Sequence, residues 1–132
     1  MANFETLGLS ERVLAAVRVL GYEAAPPIQE QAIPAVMDGR DVIGASQTGT
    51  GKTAAFGLPI LSKLDPKREP GSAQCLILEP TRELAAQVFD AFRSMGKFTH
   101  NRLALLYGGV KYGEQEEALQ KGANIVIATP GR

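Results

Sequence analysis

Four short apolar runs, residues 41–45, 74–79, 103–107 and 124–128, alternate along this chain with stretches whose apolar residues recur at helical spacing. Each run is too short for a helix and two are rich in Val and Ile, so all four read as buried strands. The helices between them are predicted over 52–64, over 82–97 with Leu84, Val88, Phe89 and Phe92 as its apolar residues, and over 113–121, where Gly122 ends the pattern. Two more helices come first. Ser10 caps one that runs to about Leu20, with Leu14, Val17 and Leu20 apolar and Gly21 as its stop. After Pro26-Pro27, apolar residues at 28, 32, 33, 36 and 37 mark another over 28–37, closed by Asp38-Gly39. Strands that alternate with helices imply a parallel sheet built by right-handed crossovers, with its ligand-binding loops at the carboxyl ends of the strands.

The first run leads into Ala45-Ser46-Gln47-Thr48-Gly49-Thr50-Gly51-Lys52-Thr53, which opens the 52–64 helix. Strand, glycine-rich turn and helix in that order form a phosphate-binding loop. Gly49 and Gly51 let the backbone turn tightly and bring its amides within hydrogen-bond reach of a polyphosphate. Lys52 would set its ammonium near the β- and γ-phosphates, Thr53 would offer its hydroxyl to Mg2+, and the helix would aim its positive end inward. Ser46 stands where the generic pattern has its first glycine, a small residue that still leaves room for the turn. A glycine turn followed by a surface lysine is the plainer reading of the same residues, and the loop alone does not name the nucleotide.

Bulk properties narrow the class. At 132 residues and 45% hydrophobic, the chain is one globular domain or part of one. No apolar run approaches the about 18 residues that span a bilayer, and Met1-Ala2-Asn3-Phe4-Glu5 has no signal-peptide character, so a cytoplasmic location with no membrane partner is expected. Fourteen basic and fourteen acidic residues cancel, so any nucleic acid must be held by local groups rather than by a global field. The single cysteine, Cys75, sits inside an apolar run and reads as a buried, inert thiol, and His100 lies in a polar stretch with no chemical role assigned. The 65–72 stretch, rich in charge and proline, reads as a surface loop.

The remaining segments fall into a recognised order. Gly21-Tyr22-Glu23-Ala24-Ala25-Pro26-Pro27-Ile28-Gln29 with Phe4 upstream, the loop 45–53, Pro80-Thr81-Arg82-Glu83-Leu84-Ala85, Gly108-Gly109 and Thr129-Pro130-Gly131-Arg132 together closely resemble the first RecA-like domain of a DEAD-box RNA helicase. The resemblance runs from Phe4 to Arg132. It implies an α/β fold, specifically a partial RecA-like P-loop NTPase domain with a mostly parallel sheet flanked by helices, in which residues 1–132 are the N-terminal portion of domain 1, cut after the motif that ends at Arg132. It implies ATP and Mg2+ as cofactors. By the same resemblance Gln29 selects adenine, Tyr22 shapes the adenine pocket, Phe4 packs on or near the base, and Ser46, Gln47, Thr48, Gly49, Thr50, Gly51, Lys52 and Thr53 hold the phosphates and metal, with Lys52 and Thr53 as the catalytic pair. A side-chain amide both donates and accepts, which matches adenine's N6 amine and N7. A small residue at the position of Ser46 is common in this family. The family more often has Pro-Thr where this chain has Ala25-Pro26, which removes a hydroxyl near the nucleotide.

Pro80, Thr81, Arg82, Gly108, Gly109, Thr129, Pro130, Gly131 and Arg132 are, by resemblance, the residues that contact single-stranded RNA. The chemistry suits backbone contacts that do not read sequence: Thr81 and amides at a helix start bind a phosphate, Arg82 and Arg132 pair with others, and the glycines let a strand approach closely.

Hydrolysis in the family needs an Asp-Glu-Ala-Asp segment, and no Asp-Glu pair occurs in this chain, nor a Ser-Ala-Thr motif or a second RecA-like domain. The resemblance therefore implies a helicase that couples ATP hydrolysis to local RNA unwinding, of which these residues alone bind nucleotide without turning it over. In the family the strand with the acidic motif lies inside the sheet, so its absence exposes strand edges and apolar surface. The compact N-terminus is more like bacterial members. A standalone adenine-nucleotide or RNA-binding module, and another P-loop NTPase or kinase, are the alternatives.

Overall fold

A computed structural model describes residues 3–47, 51–65, 67, 72–108 and 122–131. The helix expected over 113–121 and most of the 65–72 loop lie outside these residues. The chain divides into two compact units, Met1–Lys63 with Ser94–Thr99, and Leu64–Arg93 with His100–Arg132.

The first unit is helical where it is regular. A 3-10 turn at Phe4–Thr6 precedes α1 (Glu11–Val19), α2 (Pro27–Met37) and α3 (Lys52–Lys63). Ser10 caps α1 as expected, its hydroxyl accepting a hydrogen bond from the Val13 amide at 3.3 Å. Glu11 in the first turn and Arg18 in the last complement the helix dipole. Pro27 takes the first position of α2, where its missing N–H leaves nothing unsatisfied. The last turn of α3 fastens both earlier helices: Lys63 Nζ donates to the Val36 carbonyl at 3.1 Å near the end of α2, and Ser62 Oγ accepts from the Ser10 amide at 3.2 Å. Phe4, Val13, Ile33, Leu58 and Leu61 are buried in this unit, and each such side chain contributes about 1.5–3 kcal/mol. α2 and α3 pack directly on one another, which sets the entrance of α3 beside the start of α2.

The run 41–45 is not a strand. Its residues are described as irregular backbone, and Ile43 is fully exposed at 103%. A β-branched run becomes a strand only when a neighbour accepts and donates its backbone hydrogen bonds, and the described residues of its unit include no strand to do so.

The second unit carries the sheet. β1 (Cys75–Leu78), β2 (Leu103–Leu106) and β3 (Ile125–Ala128) pair in the order β1-β3-β2, both pairings parallel. The register aligns Cys75 and Leu103 with Ile125, and Leu78 and Leu106 with Ala128, so all three strands end level. β3 is central, and its four residues are buried. β1 departs from the expectation of a buried strand: Ile77 is buried, but Leu76 and Leu78 are 62% and 57% exposed on its other face. A parallel strand is buried on both faces only where something covers both.

α4 (Arg82–Met95) follows β1. Ala85, Val88, Phe92 and Met95 are buried on it, so Val88 and Phe92 face inward as expected, whereas Leu84, expected on the apolar side, is exposed. Ala85 takes the inward place in the first turn. At the amino ends of the strands, fully buried Asn124 makes a three-way clamp. Its Oδ1 accepts from the Arg102 amide at 2.7 Å, and its Nδ2 donates to Gln74 Oε1 at 3.0 Å and to Asn101 Oδ1 at 2.8 Å.

Candidate functional site

In the first unit the site grows from the start of α3. Gly51 precedes the helix with φ of +88°, a conformation that side-chain-bearing residues avoid. Its carbonyl accepts two hydrogen bonds, one from the Ala55 amide at 3.1 Å that starts α3 and one from Gln29 Nε2 at 3.1 Å. A Cβ on Gly51 would collide with that same Gln29 nitrogen. Glycine is therefore favoured here by backbone angle, and a Cβ would also displace the Gln29 amide from this carbonyl.

Gln29 is 4% exposed in the first turn of α2, and its Oε1 is buried with no hydrogen-bond partner among the described residues. The amide orientation is fixed by chemistry, because reversing it would set two acceptors, Oε1 and the Gly51 carbonyl, against each other. One N–H is thus used on Gly51, and a carbonyl oxygen stays available. A buried, unanswered acceptor costs about 1–3 kcal/mol, which a ligand that donates to it would recover.

Lys52 and Thr53 occupy the first two positions of α3. Lys52 is exposed and donates through Nζ to the Ser46 carbonyl at 2.6 Å, so loop and lysine meet. Gln47 is exposed, and Thr48, Gly49 and Thr50 lie outside the described residues. Of the two predicted aromatic residues, Phe4 is 3% exposed and Tyr22 is 41% exposed, with ring centroids 6.2 Å apart and planes tilted by 31°. Phe4 thus supports Tyr22 from within the core, and Tyr22 carries the accessible ring.

In the second unit the three strands deliver the other predicted segments to one edge of the sheet. Glu79 leaves β1 with its amide on the Ala128 carbonyl at 3.0 Å, and Thr129 leaves β3 with its amide on the Leu106 carbonyl at 3.0 Å. Pro80-Thr81-Arg82, Thr129-Pro130-Gly131 and Tyr107-Gly108 therefore emerge side by side. Thr81 caps α4, accepting from the Leu84 amide at 3.2 Å, and Arg82 at the first helical position lays its guanidinium over the Tyr107 ring at 5.9 Å. A Cβ on Gly108 or Gly131 would meet none of the described residues within 4 Å, so none of them demands a glycine at either position. Gly109 and Arg132 lie outside the described residues. Burial pushes the Glu79 carboxyl above its ordinary range, and likewise the Cys75 thiol. Among the described residues no group of three or more His, Cys, Asp or Glu is placed to hold a metal ion.

The sequence profile of the DEAD/DEAH box helicases matches residues 26–132. The chain belongs to that family. Similar relatives include the ATP-dependent RNA helicase CshA of Limosilactobacillus reuteri, 49% identical over 98% of this chain and 26% of the relative. The ATP-dependent RNA helicase DeaD of Klebsiella pneumoniae is 50% identical over 100% of this chain and 21% of the relative. A DEAD box protein from the hyperthermophile Methanococcus jannaschii, known from its crystal structure, superposes with a TM-score of 0.92 at 37% identity, covering 100% of this chain and 36% of that one. The chain thus spans about a quarter of the length of the curated relatives it matches.

The RecA-like, largely parallel α/β fold inferred from the sequence is that of these DEAD-box structures. No described helix is long and apolar enough to cross a membrane. Within the family frame, the structure brings Gln29 to the loop residue Gly51, and brings the strand-end segments 80–82, 107–108 and 129–131 to one edge. Tyr107, which the sequence placed only at the end of a strand run, lies beneath Arg82 at this edge, directly before Gly108.

Proposed function

We propose that this chain is the ATP-binding and RNA-contacting part of a DEAD-box RNA helicase, a protein that couples ATP hydrolysis to local separation of RNA duplexes. The observation that carries the reading is the Gln29 side chain. One amide hydrogen is committed to the Gly51 carbonyl, and Oε1 is buried and unanswered among the described residues, which fits a base that presents an exocyclic amine. Adenine does so, and guanine presents an oxygen there instead. The second N–H of Gln29 remains for adenine N7, and Tyr22 supplies a ring for the base.

The loop 45–53 would wrap the phosphates, with Lys52 exchanging the Ser46 carbonyl for a phosphate oxygen, and Thr53 would provide one oxygen ligand to Mg2+. One protein hydroxyl suits this ion, which keeps several waters and takes its remaining ligands from phosphate. Bound Mg2+ would neutralise charge on the phosphates. The acidic residues that position an attacking water are not in this chain, nor is a partner domain's arginine, a group worth about 10³–10⁵ in rate. Residues 1–132 alone accordingly bind nucleotide without hydrolysis, as the first portion of RecA-like domain 1.

RNA would lie along the carboxyl edge of the sheet, held through its phosphates by Thr81, the first amides of α4 and Arg82, with Gly108, Gly109 and Thr129-Pro130-Gly131-Arg132 beside them. The names of the relatives, ATP-dependent RNA helicases, support RNA as the partner. The test is RNA-stimulated ATP hydrolysis and duplex separation by the native protein that contains this sequence. Both activities are expected, and both are lost in Lys52→Ala. ATP turnover that RNA does not accelerate would contradict the reading and favour another P-loop enzyme.

A further inference from the structure

Arg82 and Tyr107 leave the two outer strands of the sheet, β1 and β2, on either side of the end of β3. Arg82 is the first residue of α4, and Tyr107 directly follows β2. The arginine's guanidinium carbon sits 5.9 Å from the centroid of the half-buried Tyr107 ring, inside the range of cation–π attraction.

The geometry points to Tyr107 as a positioning residue for the RNA contact: its ring holds the Arg82 guanidinium over the carboxyl ends of the strands. The inference rests on the reading of Arg82 as a phosphate contact, and extends it to a residue outside every motif the sequence singled out. An exposed arginine has many rotamers, and a hydrogen bond to phosphate must offset the entropy of choosing one. A ring beneath the guanidinium narrows that choice beforehand. A cation–π contact draws on the charge of the guanidinium and not on its N–H groups as hydrogen-bond donors, which leaves them for a phosphate.

The experiment is equilibrium binding of a fluorescent oligouridylate to the native protein, at several salt concentrations, for Arg82→Gln, Tyr107→Leu, Tyr107→Gln, Tyr107→Phe and the double variant Arg82→Gln with Tyr107→Leu. Loss of the ring is expected to weaken RNA about two- to five-fold and to flatten the salt dependence toward that of Arg82→Gln, a change of about 0.7 in slope for one phosphate contact on a single strand. Tyr107→Phe keeps both affinity and slope. Tyr107→Leu adds nothing in the Arg82→Gln background, which a purely structural role would not produce.

Two results overturn the inference while leaving the RNA reading intact: Arg82→Gln weakens binding but the ring-lacking variants do not, or Tyr107→Leu costs as much without Arg82 as with it. The second would mean the ring touches RNA on its own account. If Arg82→Gln binds RNA as the parent does, the phosphate reading itself fails and the inference falls with it. If Tyr107→Leu and Tyr107→Gln both lose cooperative unfolding, the ring is a core element and the inference is wrong.

Discussion

Gln29 Nε2 donates to the Gly51 carbonyl at 3.1 Å, and the same carbonyl accepts the first hydrogen bond of α3. A side chain on α2 is thereby tied to the exact peptide at which the phosphate loop becomes a helix. Whatever Gln29 binds through its remaining polar atoms is felt at the loop within a single hydrogen bond.

Gly51→Ala tests that linkage. The added carbon displaces Gln29 Nε2 and sits at a positive φ, the latter a cost of about 1 kcal/mol or more. Adenine-nucleotide affinity measured by titration is expected to fall at least about ten-fold. Adding Gln29→Ala to this variant relieves the collision, so the two losses combine to less than their sum.

Gly108→Ala separates a packing role from a binding role. Its Cβ would meet none of the described residues within 4 Å, so thermal stability is expected to shift by no more than about 0.5 kcal/mol. RNA affinity is expected to fall several-fold, because the new methyl occupies space the strand would take. Unchanged RNA binding would remove Gly108 from the proposed interface.

Asn124→Ala is expected to destabilise the second unit. It removes three hydrogen bonds at the amino ends of the strands from a fully buried side chain, for about 1–3 kcal/mol. Denaturant unfolding measures the loss, and nucleotide binding in the other unit serves as the comparison.

Glu79 gives a pH dependence with a definite sign. Burial raises its carboxyl above the ordinary value, so between the unfolded and the folded value the unfolded chain carries fewer protons than the folded one. Stability therefore falls as pH rises through that window and is greater below it. Glu79→Gln is expected to abolish this fall and to leave the protein slightly more stable at neutral pH, as read by thermal melts from pH 4 upward.

The parts of the fold that were legible in the sequence are those whose signal is local. Ser10 as a cap, Pro27 and Asp38-Gly39 as helix boundaries, and the strands at 75–78, 103–106 and 125–128 follow from capping chemistry and apolar runs. What was not legible depends on neighbours. Residues 41–45 have strand composition without a pairing partner, β1 leaves Leu76 and Leu78 uncovered, and Ala85 rather than Leu84 turns inward on α4. The same holds for the site. Gln29, Gly51, Lys52 and Arg82 were named by motif, whereas the Gln29–Gly51 bond and the Arg82–Tyr107 pair join residues far apart in sequence and exist only in the folded chain.

Competitive titration of ADP against GDP, on the parent protein and on Gln29→Ala, tests the central claim most directly. If the buried Gln29 amide reads the base, the parent prefers ADP by at least about ten-fold, since guanine sets an oxygen against the unanswered Oε1, and Gln29→Ala loses most of that preference. Equal binding of ADP and GDP by the parent, or a preference for ADP that survives Gln29→Ala, would contradict the account.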